Sequence, residues 1–220
     1  RPPGAPSLQP LTPSTLRHLL AQAAHWLTPT KDGSKAFPDK PAAWLVDTLL
    51  ELGTWDGIPP LTGLLGAPTL RPDGTLLTTP GYDAATGLYL DWAHDLPAIP
   101  EQPTHAAAVH AAVILGAPFG DFPFEAPHHR SAVLAAILSL LARYAVGHVP
   151  LFAIRATTRG SGKTLLADAI SLIATGRLAT KMPPARDEDE ERKRLLAIAL
   201  AGDPLVLIDN VTGALGTPAL

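Results

Sequence analysis

The chain has no cysteine, which excludes disulfides and thiolate metal sites and makes a reducing, cytoplasmic setting the expectation. Neither sign of charge dominates. Seventeen Lys and Arg stand against 20 Asp and Glu, for a formal net charge of −3, so the basic footprint of a generic nucleic-acid binder is missing. Aromatic residues make up only 5%, and Trp26, Trp44, Trp55 and Trp92 are scattered, which suits packing better than a base-stacking platform. No apolar run reaches the roughly 18 residues that would span a bilayer. The longest, Ser131 to Val146, carries Arg143 and reads as a core helix, so no membrane partner is expected. A signal peptide is not visible, and the chain begins at Arg1 without a Met, so its natural N-terminus is expected upstream.

What remains is an ordinary globular composition over 220 residues, 46% hydrophobic and 17% charged. Pro (24) and Gly (18) punctuate apolar segments rather than forming a low-complexity tract. Three regions follow, at 1–103, 104–147 and 148–220. The first opens with a Pro-rich tail. Its 3–4 spacing of apolar residues predicts one helix from Pro13 to Leu27 and another from Pro41 to Leu52, capped by Asp39 and stopped by Gly53. The turn signals R-P-D-G (71–74) and P-G-Y-D-A-A-T-G (80–87) predict a small hairpin, with strand 75–79 answered by strand 88–90. Two connecting helices are expected at Thr104 to Leu115 and His128 to Val146.

From residue 148 on, strands and helices alternate. Expected are a strand at Leu151–Ile154, a helix from Lys163 to Ala174, a weak strand at Leu178–Met182, a helix from Asp187 to Ala201 and a strand at Leu205–Ile208. That pattern predicts an α/β fold with a parallel sheet, as in P-loop NTPases. The loop between the first strand and helix reads Thr158-Arg159-Gly160-Ser161-Gly162-Lys163-Thr164. Glycines let several backbone N–H groups converge on phosphate oxygens, and the following helix adds its positive end. Lys163 is then placed to reach the β- and γ-phosphates, and the Thr164 hydroxyl to ligate Mg²⁺. Arg159 faces the nucleotide, a neighbouring subunit or solvent. The full motif asks for Gly at 157, where Thr157 stands. A bare G-K-[ST] would occur by chance about one time in ten in a chain this long.

A second motif narrows the odds. Leu205-Val206-Leu207-Ile208-Asp209 is an apolar strand ending in an acid, the Walker B pattern, in which Asp209 holds Mg²⁺ through water. Asn210 follows, where many such ATPases carry a Glu that orients the attacking water. An Asn positions water by hydrogen bonding but cannot act as a general base. Either another residue serves hydrolysis, or the site is a slow switch.

Four segments recur in this order in one family: A-P-T-L-R-P-D-G-T-L-L-T-T-P-G-Y-D-A-A-T-G-L-Y-L, D-F-P-F at 121–124, G-S-G-K-T, and R-K-R-L-L-A-I-A-L-A-G-D-P-L-V-L-I-D-N-V at 192–211. Over roughly residues 40–220 the chain resembles the helicase/ATPase regions of bacterial plasmid- and prophage-encoded primase–helicase proteins. The resemblance implies an AAA+-like, superfamily 3-type fold, a homo-oligomeric ring, ATP with Mg²⁺, and single-stranded or duplex DNA handled during replication of a mobile element. Gly162, Lys163 and Thr164 match the Walker A residues and Asp209 the Walker B acid. The family's sensor Asn, arginine finger and DNA-contacting hairpin have no counterpart placed here and are expected beyond Leu220. The strand that normally separates the Walker A and Walker B strands is missing for the same reason, so the chain reads as part of a longer protein.

Other features read as structural. D-E-D-E-E-R-K-R (187–194) offers the pairs Glu188/Arg192, Asp189/Lys193 and Glu190/Arg194 on a solvated helix face. The eight His residues show no metal-ligand spacing. A motor coupling ATP to movement on DNA and a nucleotide-dependent assembly or loading switch both remain open. A small-molecule kinase lacks an evident acceptor site.

Overall fold

Thr12 starts the first helix, its hydroxyl accepting from Thr15 N at 3.2 Å with Pro13 in the first turn. The computed structural model describes residues 8–34, 36–100, 102–158, 160–213 and 215, which form two compact units, Leu8–Leu61 and the residues from Thr62 onward. Arg159 and the Pro-rich opening through Ser7 lie outside the described residues.

In the first unit, helix α1 (Pro13–Ala23) is shorter than its apolar spacing predicts. Ala24 is extended; its N–H still donates to Leu20 O at 3.2 Å, and Trp26 Nε1 adds a second bond to the same carbonyl at 2.8 Å, which sets the indole against the end of the helix. Leu27 belongs instead to β1 (Leu27–Pro29), antiparallel to β2 (Ala36–Pro38). Helix α2 (Ala43–Leu52) starts at Ala42 without a side-chain cap. The expected cap, Asp39, is engaged elsewhere. It accepts from the Thr28 hydroxyl and from Lys40 N, bonds that hold its carboxyl below the ordinary value. Gly53, at φ +67°, ends α2 as anticipated.

The second unit contains two hairpins rather than the single one expected. Strands β4 (Thr69–Leu70) and β5 (Leu76–Leu77) pair around R-P-D-G. Strand β7 (Leu88–Leu90) is answered by β6 (Gly81–Asp83), inside the segment read as pure turn, and pairs in parallel with β3 (Gly63–Leu65). The reason is local. Asp83 accepts from the Thr86 hydroxyl at 2.6 Å and its carbonyl accepts from Gly87 N at 2.8 Å, which closes a turn over D-A-A-T-G. Arg71 reaches Asp83 at 3.0 Å and ties the hairpins together, holding that carboxyl below its ordinary value. Leu65, Leu77, Leu88 and Leu90 are buried beneath, with Trp92 and Tyr144 against them.

Helices α3 (His105–Gly116, N-capped by Thr104) and α4 (Pro127–Val146) flank a short 3₁₀ turn at Ala117–Phe119. By length and composition α4 could cross a membrane, yet one face of it enters a core. Val133, Ala136 and Ile137 meet Leu166, Ile170 and Ala174 of α5 (Lys163–Thr175), with Phe119 between them. The spacing is i, i+3, i+4 on α4 and i, i+4, i+8 on α5, so each set lies along one helix face. Thr69 Oγ1 donates to Leu141 O at 2.7 Å, linking β4 to α4.

Strand β8 (Thr180–Met182), helix α6 (Glu188–Ala201) and strand β9 (Val206–Ile208) form a βαβ unit, with β8 and β9 parallel in the register Thr180↔Val206. Asp187 caps α6 by accepting from Glu190 N, and Gly202 ends it at φ +68°. Two of the three anticipated i,i+4 pairs form, Glu188–Arg192 and Glu190–Arg194; Asp189 and Lys193 do not pair, and Glu191 is buried.

The larger parallel sheet is not present among the described residues, whose sheets are two- and three-stranded. Leu151–Ile154, expected as a strand, makes no ladder. A strand needs a neighbour for its N–H and C=O groups, and none of the described residues pairs with this segment. Leu151 is accordingly 63% exposed, while Ile154 packs against the α4–α5 core and fixes the path into the loop that follows.

Candidate phosphate-binding site

The loop before α5 is built from alternate left-handed glycines. Gly160 has φ +77° and Gly162 φ +83°, conformations that other residues adopt only with strain. Gly162 is the N-cap of α5 and offers no side chain, so the first-turn N–H groups have no side-chain cap. Leu166 N donates to Gly162 O at 2.8 Å, fixing where the helix begins. Lys163 and Thr164, both half-buried, are its first two residues. Ser161 Oγ is buried and has no hydrogen-bond partner among the described residues. Buried hydroxyls normally find partners, so an orphan in this loop fits a site made to receive acceptor oxygens. Thr158 is exposed, its hydroxyl 3.5 Å from that of Thr157.

Asp209 reaches the same place from the other side of the fold. Its backbone N donates to Met182 O at 2.9 Å, which extends the β8–β9 ladder by one bond and fixes the carboxylate at the strand end. Asp209 Oδ1 accepts from Asn210 N at 2.8 Å, while Oδ2 lies 3.5 Å from Thr164 Oγ1. The strand pair is tied to α5 by Lys181 of β8, whose ammonium is 2.7 Å from Asp168 Oδ2. Asp168 stands one turn beyond Thr164, so this ion pair braces the helix face that carries the hydroxyl.

A hydroxyl and a carboxylate converging beside uncapped helix N–H groups form a donor set suited to Mg²⁺ with a phosphate chain. Magnesium takes hard oxygens, uses few protein ligands and leaves the rest to water and phosphate. No cluster of three or more His, Cys, Asp or Glu is present among the described residues.

No family model, curated protein or solved structure matches the chain.

The spacing of the motifs brings Gly160, Ser161, Gly162, Lys163, Thr164 and Asp209 to one end of α5. Arg159, assigned to the loop, lies outside the described residues. Asn210 is beside the site, exposed, and in the left-handed region at φ +61°. Asn tolerates that conformation better than most residues, so its backbone supplies a reason for an amide here that is independent of water positioning. Asn210→Gly should leave stability within about 0.5 kcal/mol of wild type, whereas Asn210→Glu should cost about 1 kcal/mol. Urea unfolding midpoints of both variants check this; equal stability for the two would remove the backbone explanation.

Two contributors were not foreseen. The Asp168–Lys181 pair was half legible, because Asp168 shares a helix face with Thr164. The approach of Phe122 to Gly162 was not, since residues 40 positions apart meet only through the fold.

Proposed function

We propose that residues 160–164 and 209 bind the phosphates of ATP with Mg²⁺, and that the chain is the ATPase module of a primase–helicase acting on DNA in the replication of a mobile element. The observation that carries the nucleotide reading is the 3.5 Å approach of Thr164 Oγ1 to Asp209 Oδ2, across 45 residues of sequence. Two motifs of separate chemistry, each weak alone, converge on one point. Lys163 at the start of α5 would neutralise the β- and γ-phosphates, and the N–H groups around Ser161 and Gly162 would hold their oxygens. Magnesium, when bound, draws charge from the phosphoryl oxygens. Thr164 and Asp209 would hold it, directly or through water. The motor reading, the DNA partner and the ring rest on the ordered resemblance of residues 40–220.

A second reading, a nucleotide-dependent assembly or loading switch with little turnover, is favoured by Asn210. Its amide orients water but takes no proton, and its backbone alone accounts for its identity. ATP turnover by the full-length protein, with and without single-stranded DNA, separates the two. DNA-stimulated hydrolysis supports the motor. Tight MgATP binding with near-zero turnover, indifferent to DNA, leaves the switch. No binding of MgATP rejects both.

A further inference from the structure

The segment Asp121-Phe122-Pro123-Phe124 comes to rest against the phosphate loop. A Cβ built on Gly162 would lie 3.2 Å from Phe122 Cε2 and 3.6 Å from its Cζ; among the described residues, apart from its chain neighbours, no other side chain comes within 4 Å of that point. The segment is itself held firmly. Phe122 N donates to Phe119 O, Phe124 N donates to Phe122 O at 2.8 Å, and Arg130 of α4 reaches Gly120 O at 2.6 Å. The Phe122 and Phe124 rings lie 4.9 Å apart, and both pack on the α4–α5 core. Of the two rings, Phe122 is the one that continues from that core to the glycine that starts α5.

Gly162 has no side chain to anchor itself, and its left-handed backbone is one that a free glycine visits among many others. The Leu166 N–Gly162 O bond holds the carbonyl side of the turn, and a contact from outside the loop narrows what freedom is left before a ligand arrives. The Phe122 ring edge occupies the space into which the Gly162 turn would otherwise relax. We infer that Phe122 is a positioning residue for phosphate recognition, holding the Gly162 turn in the conformation that aims the loop N–H groups at phosphate oxygens. It acts through the loop and touches neither base nor sugar. The inference rests on the nucleotide-binding reading and adds a residue to it.

The test measures binding of ATP and of inorganic tripolyphosphate, each with Mg²⁺, by calorimetry on the full-length protein. Wild type is compared with Phe122→Ala, Phe122→Leu and Phe124→Ala. Tripolyphosphate carries no base, so it reports the loop alone. Phe122→Ala should weaken both ligands by the same factor, about tenfold. Phe122→Leu should recover most of the loss. Phe124→Ala removes a ring from the same core without uncovering Gly162, so it should lower the unfolding midpoint to a similar degree and leave both affinities near wild type. Loss of ATP affinity with tripolyphosphate unchanged would make Phe122 a base platform and overturn the inference. So would equal losses in Phe122→Ala and Phe124→Ala, which would reduce the effect to core stability, or wild-type affinity in Phe122→Ala. A wild-type protein that binds neither ligand would overturn the nucleotide reading and this inference with it.

Discussion

Lys163→Ala is expected to abolish measurable ATP binding while leaving the protein as stable as wild type, or slightly more so. Both halves follow from the position of Lys163 as the first residue of α5. A helix N-terminus carries partial positive charge, and a cation there is unfavourable by a few tenths of a kcal/mol, up to about 1 kcal/mol. No ion pair of Lys163 offsets that among the described residues. Removing the ammonium therefore relieves a small repulsion in the free protein. With a phosphate chain in the loop the sign reverses. Charge-assisted bonds from the ammonium would contribute about 3 kcal/mol, more than a hundredfold in affinity. Calorimetric titration with MgATP, paired with thermal melts, reads both quantities on one sample. Unchanged affinity rejects this placement of the site. Lost affinity accompanied by a lower melting midpoint would mean that Lys163 supports the fold.

The opposition between stability and binding at Lys163 recurs nearby and helps to explain which features were legible in the sequence. Gly160, Gly162 and Asn210 each hold a left-handed backbone, and the first-turn N–H groups of α5 lack a side-chain cap. Residue types required by a backbone conformation or by a charge announce themselves in sequence, because few alternatives satisfy them. The G-S-G-K-T loop, the helix behind it and the β8–α6–β9 crossover were readable on that ground. Pairings were less so. Leu151–Ile154 has the composition of a buried strand, but composition does not supply the neighbour that a ladder requires. Leu88–Leu90 has strand chemistry equally compatible with residues 75–79 or 81–83, and the Asp83–Thr86 turn decides between them. Capping failed for a similar reason. Asp39 is a suitable N-cap by type, yet its carboxylate is taken by Thr28 and Lys40. Phe122 belongs to the least legible class, because apolar contacts carry no sequence signature of their partners.

The core that supports the loop gives the largest expected stability effect. Ile137 is fully buried at 0% exposure, in the middle of α4, within the cluster formed with Leu166 and Ile170 of α5. Truncation to Ala removes three carbons and leaves a cavity between two helices whose ends are held elsewhere. Arg143 donates to Pro204 O at 2.7 Å, and Lys181 pairs with Asp168, so collapse into the space is resisted. Ile137→Ala should therefore destabilise the second unit by about 3 kcal/mol, within the usual 2–5 for such a change. That is a large part of a typical 5–15 kcal/mol total. The melting midpoint should drop by about 6–12 °C at this chain length. The variant then becomes a reporter for the site, because α5 carries both the core stripe and the phosphate loop. MgATP at a hundred times its dissociation constant would return about 2.7 kcal/mol, most of what was lost. Adding Lys163→Ala to Ile137→Ala should remove that recovery without lowering the ligand-free midpoint further. A loss below about 1 kcal/mol for Ile137→Ala would reject the α4–α5 packing. Recovery by MgATP that persists in the double variant would place nucleotide binding somewhere other than the start of α5.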